Sequence, residues 1–285
     1  MSIDESPALE SWIGRTEQAA DEATRAPALA LAATLDRDAS GLAHGDPLPP
    51  LWHWIYFTPK APAREIGVDG HPRRGGFLPP VSLPRRMWAG GRLEFHAPIR
   101  IGDALSRTST ITDVRRREGK TGALVFVTVR HEIMRDGQPL LSEEHDIVYR
   151  DLPQPGAASP PPEPAPTDES TARRVVPDPV LLFRYSALTF NGHRIHYDRS
   201  YVTEVEGYPG LIVHGPLIAT LLVDEAQRHR PGLVVRRFSF KAMQPLFDID
   251  WFELCCRFDG TAAIDLWARG HDGRLAMQAR LEAAD

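Results

Sequence analysis

The sequence predicts an α+β fold in which a helical segment followed by an antiparallel sheet occurs twice. Three observations favour this class: short runs of alternating apolar and polar residues in each half, an Asp-Gly pair in each half, and a proline-rich segment between the halves. Asp136-Gly137 and Asp272-Gly273 are typical hairpin signals, because aspartate and glycine tolerate the positive φ angles of tight turns. A pattern that repeats at a domain-sized interval indicates two copies of one fold rather than a solenoid.

The proline-rich segment marks the predicted domain boundary. Seven of the 26 prolines lie between residues 152 and 166, where they cannot donate strand hydrogen bonds and favour an extended, semi-rigid spacer. We therefore predict an N-terminal domain at residues 1–150, a linker at residues 151–168 and a C-terminal domain at residues 169–285. Both domains have an ordinary size.

Helices and strands follow from periodicity. The N-terminal half is predicted to open with an alanine-rich helix over residues 16–35, interrupted near Pro27. A helix is also predicted over residues 216–228, because its apolar residues share one face. Alternation predicts strands at residues 92–98, 104–114, 123–134 and 138–149 in the first half, and at residues 234–242, 251–258, 262–268 and 275–281 in the second.

Composition argues against two classes of partner. The formal net charge is −5 and the sequence pI is about 6.1, so the chain lacks the overall basic character of a nucleic-acid-binding protein. No apolar run is long enough to span a bilayer, and the acidic, polar start differs from a secretory signal. The adjacent Cys255 and Cys256 are expected to be buried free thiols, as in a reducing compartment. We therefore expect a cytoplasmic protein that binds neither nucleic acid nor membrane.

The segment that carries chemistry lies early in the second half. Residues 189–198 are TFNGHRIHYD, and residues 212–216 are IVHGP. This pattern resembles the signature of the MaoC-like hydratases and dehydratases of the hot dog superfamily, Ser-Gly-Asp-x-Asn-Pro-x-His-x-Asp followed by Ile-x-His-Gly at the start of a long helix. His196 and Asp198 match its last two positions, whereas Asn191 replaces its aspartate and His193 its asparagine.

That variant resembles the branch of type-2 hydroxyacyl-thioester dehydratases and mesaconyl-CoA hydratases. The segments LWHW at residues 51–54, RRGGFLPP at residues 73–80 and PRRMWAGG at residues 84–91 resemble the same branch. The resemblance implies a double hot dog fold, in which two antiparallel sheets each wrap a central helix and pair edge to edge. It also implies an acyl-CoA substrate, no cofactor beyond the coenzyme A of that substrate, one active site in the C-terminal half, a non-catalytic N-terminal half, and compatibility with a homodimer.

Hydration of an enoyl thioester needs a base for water and a stabiliser for the enolate oxygen. A neutral imidazole suits the first task, and His196 is the predicted base. Amides at a helix N-terminus suit the second, and Gly215 admits a thioester carbonyl close to them. Asn191 cannot take a proton but can hold water or the acyl carbonyl through its amide. His193 either carries a second proton or orients His196, and both alternatives stay open.

Five further side chains are predicted to contact the substrate. His214 lies at the helix opening. Four arginines suit the phosphates of coenzyme A or a second carboxylate on the acyl group, although a solvated loop fits them equally: Arg73, Arg74, Arg85 and Arg86. A metal site built from His193, His196 and Asp198 is disfavoured, since the pattern lacks a further well-spaced ligand, and no metal is predicted.

The predicted function is the reversible hydration of a short, branched, carboxylated enoyl-CoA such as mesaconyl-CoA. Two alternatives remain open from the sequence. One is dehydration of 3-hydroxyacyl thioesters with ordinary fatty chains. The other is an inactive hot dog protein that only binds acyl-CoA, which would follow if Asn191 marks lost chemistry.

Overall fold

The computed structural model describes residues 9–119, 122–151, 162–260 and 263–284. In the first half of this part of the chain the elements are β1 (Thr16–Glu22), α1 (Arg25–Thr34), β2 (Arg85–Phe95), β3 (Ala104–Gly119), β4 (Gly122–Arg135) and β5 (Gln138–Arg150). In the second half they are β6 (Thr171–Val175), α2 (Pro179–Leu188), α3 (Gly215–His229), β7 (Val235–Ala242), β8 (Phe252–Phe258), β9 (Ala263–Gly270) and β10 (Leu275–Ala283). All eight predicted strands are present, as β2–β5 and β7–β10.

The two halves join edge to edge in one antiparallel sheet. The strand order is β1-β3-β4-β5-β2-β7-β10-β9-β8-β6, and the junction pairs Gly91 of β2 with Phe240 of β7. A Cβ atom on Gly90 would lie 2.6 Å from the Phe240 carbonyl oxygen, and one on Gly91 would lie 2.9 Å from the Phe240 ring. Both positions therefore require glycine. Residues 152–161 of the predicted linker lie outside the described residues, and the division at residues 151–168 stays a prediction.

The predicted helix over residues 16–35 is wrong in its first part. Thr16 to Glu22 form edge strand β1, which pairs along its whole length with β3. This non-local pairing overrides the helix preference of the alanines and glutamates, because strand propensity depends on tertiary context. Pro27 does not interrupt a helix either. It lies in the first turn of α1, where its missing N–H has no intrahelical partner to lose.

The long central helix occurs in the C-terminal half. Helix α3 begins one residue earlier than predicted and is buried at every position from Leu217 to Ala226, rather than on one face alone. Its two buried carboxylates form ion pairs: Asp224 pairs with Arg37, and Glu225 pairs with Arg173. In the described part of the N-terminal half the helical elements are shorter: α1, and 3-10 helices such as Trp52–Ile55.

Two predictions from composition can be compared with the structure. Cys255 and Cys256 are buried and free, as expected. Within the described ranges, no helix is both long enough and apolar enough to cross a membrane.

The buried carboxylate of Glu143 connects the Trp52–Ile55 helix to strand β5 of the N-terminal half. The Glu143 side chain is 3% exposed and accepts a hydrogen bond from Trp54 Nε1 at 3.0 Å. His53 Nε2 and His145 Nε2 lie 3.2 and 3.1 Å from its two oxygens. Burial raises the pKa of Glu143, whereas the charges and hydrogen bonds of His145 and His53 lower it. The lowering effects are larger in sum, so the pKa is well below the usual value. The carboxyl group is therefore ionised.

Replacing Glu143 with alanine is expected to lower the free energy of unfolding by about 3–5 kcal/mol, because it leaves the indole and imidazole donors buried without a partner. Urea unfolding followed by circular dichroism measures the change. Glu144→Ala is the matched control, since the neighbouring Glu144 binds Arg92 at the surface and an exposed pair contributes about 0–1 kcal/mol. Equal losses in the two variants would contradict a special role for Glu143.

Candidate active site

The histidine loop, residues 189–198, follows directly after α2. The chain reverses at Phe190, which has a φ of 49°, and the Asn191 amide donates to the Ser186 carbonyl at 2.8 Å. Asn191 Oδ1 accepts a hydrogen bond from the His193 amide at 3.0 Å, an arrangement common where asparagine shapes a turn. The side-chain oxygen of Asn191 is thus used by the loop, which leaves its NH₂ group as the donor for a ligand.

His196 is held in one tautomer. Its Nδ1 atom lies 2.7 Å from the Ile212 carbonyl oxygen. Because a carbonyl oxygen only accepts, Nδ1 carries the hydrogen and Nε2 carries the free lone pair. The residue is 8% exposed, and burial lowers its pKa to about 4. Near neutral pH, His196 is therefore a neutral imidazole with Nε2 free to accept a proton.

His214 stacks on His196 and occupies the position just before α3. The two rings lie 3.7 Å apart at 17°, and His214 Nε2 is 2.8 Å from Ser186 Oγ on α2. Its Nδ1 is buried and has no hydrogen-bond partner among the described residues. Burial, followed by the proximity of His196 and His193, lowers the pKa of His214 well below the usual value. This neutral, rigid ring fixes His196 beside the N-terminus of α3.

The first amides of α3 have no acceptor within the helix. The first intrahelical bond runs from Ile218 N–H to the His214 carbonyl at 3.1 Å, so Gly215 and Leu217 have no intrahelical acceptor. A Cβ atom on Gly215 would meet only Met277 Cε and the Trp88 carbonyl oxygen, both at 4.0 Å. Unpaired amides at a helix N-terminus favour an anionic oxygen, and the missing side chain of Gly215 leaves its backbone accessible from that side.

A loop of the N-terminal half docks on the histidine loop through its backbone. Arg194 N–H donates to the Asp69 carbonyl at 2.9 Å. A Cβ atom on Gly70 would lie 1.8 Å from the Gly192 carbonyl oxygen, and one on Gly192 would lie 2.6 Å from that of Gly70. The two loops can approach this closely only because both positions are glycine. It brings His71 onto His193, with the ring centroids 4.0 Å apart.

Sequence reasoning missed this docking loop. Asp69, Gly70 and His71 stand at the start of a segment punctuated by glycine and proline, which predicts only a loop. No spacing links them to the histidine motif, since the contact is made across more than a hundred residues of chain. Such a contact is visible only in three dimensions.

His193 lies between His71 and His196. Its ring centroid is 5.5 Å from that of His196, with the planes at 88°. Burial, followed by His71 and His196, lowers the pKa of His193 far below the usual value. The His196 ring is fixed by the hydrogen bond that its Nδ1 donates to the Ile212 carbonyl, and not by His193. His196 thus has an orienting partner without His193.

Two of the four predicted arginines are already bound to the protein. Arg85 binds the Glu206 carboxylate at 3.2 Å and the Glu206 carbonyl at 2.6 Å, and its guanidinium lies over the Tyr208 ring. Arg74 donates to three backbone carbonyls, those of Val81, Leu83 and Pro84. Arg74 therefore holds the loop that precedes β2, and Arg85 ties the start of β2 to the C-terminal half.

The other two arginines differ in position. Arg73 is exposed, whereas Arg86 is half-buried and forms a side-chain hydrogen bond with the buried Tyr149. The charge of Arg86 contributes to lowering the pKa of both His71 and His193, so the guanidinium lies within electrostatic range of the histidines. No carboxylate of the described residues forms an ion pair with it, in contrast to Arg85. Arg86 is thus the arginine whose charge is available to a ligand at this site.

Comparison with known proteins supports the family resemblance of the histidine motif. The family model for hydroxyacyl-thioester dehydratase type 2 matches residues 51–248. A mesaconyl-C(4)-CoA hydratase of Chloroflexus aurantiacus is 50% identical over 275 residues, which cover 95% of this chain and 96% of that protein. The chain belongs to the hydroxyacyl-thioester dehydratase type 2 family. A mitochondrial member from Schizosaccharomyces pombe is 27% identical over 241 residues, 76% of this chain and 80% of that protein.

Among solved structures, a Mycobacterium tuberculosis protein described as having a double hot dog fold matches with a TM-score of 0.64. It is 14% identical, and the match covers 95% of this chain and 96% of that chain. At this identity the likeness shows the fold alone, and it confirms the predicted double hot dog. The family match confirms the predicted type-2 dehydratase branch and a hydro-lyase.

Proposed function

We propose that this family member is a mesaconyl-C4-CoA hydratase. The observation that carries the proposal is the free Nε2 of His196, held beside the N-terminus of α3, where the Gly215 and Leu217 amides have no acceptor within the helix. A base and an oxyanion site side by side are what hydration of an enoyl thioester requires. The 50% identical Chloroflexus relative supports the choice of substrate, and a reducing cytoplasm, where the free cysteines are stable, is the proposed location.

The proposed reaction uses the residues in the following order. His196 Nε2 takes a proton from water as the water oxygen bonds to the carbon β to the thioester. The C=C electron pair moves toward the thioester, whose oxygen accepts hydrogen bonds from the Gly215 and Leu217 amides. The α-carbon then takes a proton from the imidazole pair, so that one water is added and the enzyme ends unchanged. We assign His193 as the second proton carrier, because Ile212 already orients His196.

The enzymatic test compares three substrates with purified protein by loss of enoyl-thioester absorbance. The proposal predicts turnover of mesaconyl-C4-CoA with kcat/KM well above that for crotonyl-CoA and for a medium-chain enoyl-CoA. Preference for the medium-chain substrate would instead identify a dehydratase of fatty-acyl thioesters. Absence of turnover with all three would favour an acyl-CoA-binding protein.

Arg86 is proposed to bind the free carboxylate. In mesaconyl-C4-CoA this carboxylate is attached to the carbon that receives water, so its receptor must lie close to the proton carriers. Arg86→Gln should therefore lower kcat/KM for mesaconyl-C4-CoA by about 10²-fold, as expected for loss of a charge-assisted hydrogen-bonded pair. The value for crotonyl-CoA, which has no such group, should change little.

Arg64→Gln is the matched control for Arg86, because Arg64 is an exposed arginine of the same half. Its kinetic constants should equal those of the wild type. Equal losses on both substrates in Arg86→Gln would indicate a contact with coenzyme A, or a structural role, instead of recognition of the carboxylate.

A further inference from the structure

The histidine loop lacks a carboxylate where the family signature has aspartate, but one approaches from the N-terminal half. Asp69 Oδ2 lies 3.0 Å from His71 Nδ1, and Asp69 Oδ1 accepts from the His71 amide at 3.0 Å. A carboxylate oxygen of Asp69, a ring nitrogen of His71 and a ring nitrogen of His193 all lie within 4.8 Å of one another. The three side chains form one contiguous group that ends beside His196.

The tautomer of His71 follows from this contact. An ionised carboxylate only accepts hydrogen bonds, so Nδ1 of His71 carries its hydrogen and Nε2 has the lone pair. Both side chains are mostly shielded, with 18% exposure for His71 and 29% for Asp69. The backbone contact between Gly70 and Gly192 fixes their position, because neither glycine can gain a side chain without a clash.

Charge explains what this pair can contribute. When water is deprotonated, positive charge forms on the buried imidazoles. Five groups among the described residues surround His71. Arg74 and Arg86 oppose such positive charge, and Asp69 favours it. His193 and His196 are the other two. For His193, burial, His71, His196 and Arg86 all lower the pKa, and Asp69 raises it. Asp69 is therefore the group that stabilises an imidazolium here.

We propose that Asp69 and His71 are positioning residues of the active site, through which the N-terminal half supplies the carboxylate that the histidine loop lacks at Asn191. Asp69 orients His71, His71 packs on His193, and the negative charge stabilises the imidazolium that forms during proton transfer. This inference rests on the proposed hydratase function. It also extends the role of the N-terminal half from shaping the substrate site to assisting the chemistry.

Asp69→Asn tests the charge with little change of shape, since asparagine retains an oxygen that accepts from His71 and leaves the backbone contact in place. We expect kcat for mesaconyl-C4-CoA hydration to fall by about 10²-fold, with KM nearly unchanged. The acidic limb of kcat/KM should move to lower pH, because loss of a negative charge lowers the pKa of the neighbouring imidazoles. Asp69→Glu, which keeps the charge, should recover part of the rate.

Controls separate this role from a structural one. Asp250→Asn alters an exposed Asp–His pair, with His271 at 3.6 Å, and should leave kcat and the pH profile unchanged. His71→Gln should resemble Asp69→Asn, and the double variant should be little worse than either single variant, as expected for residues that act as one unit.

Two results would overturn the proposal while the proposed function stands: an Asp69→Asn variant as active as the wild type, or a lower rate with an unshifted acidic limb. Loss of turnover on chelation, restored by a divalent cation, would make the three side chains a metal site and would also overturn it. Failure of the proposed function is recognised separately, because the wild type itself would then not hydrate mesaconyl-C4-CoA.

Discussion

Replacing His196 with alanine is expected to lower kcat for enoyl-thioester hydration by about 10²- to 10⁴-fold, the usual contribution of a general base. The reason is local: Nε2 of His196 has the free lone pair beside the α3 N-terminus, because Nδ1 donates to Ile212. The rate is measured by loss of enoyl absorbance. Affinity for butyryl-CoA, a saturated and unreactive probe, is measured by calorimetry and should change little.

His271→Ala provides the control for the His196 variant. His271 is a largely exposed histidine of the same half, in the hairpin that precedes β10, and its loss should alter neither rate nor affinity. A His196→Ala variant that keeps near-wild-type turnover would contradict the assignment of the base. Equal loss of turnover and of butyryl-CoA binding would indicate that the ring holds the substrate instead.

Replacing Gly215 with alanine is expected to reduce kcat/KM by about 10²- to 10³-fold, comparable to the loss of one oxyanion donor. The added methyl group would occupy the space before the α3 amides and keep the thioester oxygen away from them. The fold should tolerate it, since the nearest atoms lie 4.0 Å from the new Cβ and alanine favours helix over glycine. Thermal unfolding should therefore show an unchanged or slightly higher Tm.

Gly41→Ala is the matched control for Gly215, because a Cβ atom there also meets no clash and the site lies on an exposed loop. It should leave both activity and Tm unchanged. An active Gly215→Ala variant would mean that the thioester oxygen binds elsewhere. A variant with a strongly lowered Tm would mean that Gly215 is needed for packing.

Much of the C-terminal half was predictable because its signals are local. The strands follow from alternation, the hairpin from Asp272-Gly273, and α3 from apolar periodicity, and the structure has them within a few residues of the predicted bounds. The histidine motif was likewise contained in one short stretch of chain. Local patterns of this kind do not depend on what packs against them.

The remaining features depend on distant contacts. Strand β1 has helix-favouring residues and becomes a strand only by pairing with β3. The docking of Gly70 on Gly192 and the stacking of His71 on His193 join segments far apart in the chain. The four arginines were indistinguishable in sequence. Their protein partners set Arg74 and Arg85 apart, and exposure separates Arg73 from the half-buried Arg86. Such assignments require the tertiary structure, since the same residue types serve surface, scaffold and site.

The most direct test of the hydratase assignment is mass spectrometry of the product formed from mesaconyl-C4-CoA in water enriched in oxygen-18. The structure and the family predict one labelled hydroxyl on the carbon β to an intact thioester, formed by the wild type and not by His196→Ala. Label in a newly freed carboxylate, with release of coenzyme A, would show thioester hydrolysis and contradict the assignment. Failure of the wild type to form any hydrated product would contradict it as well.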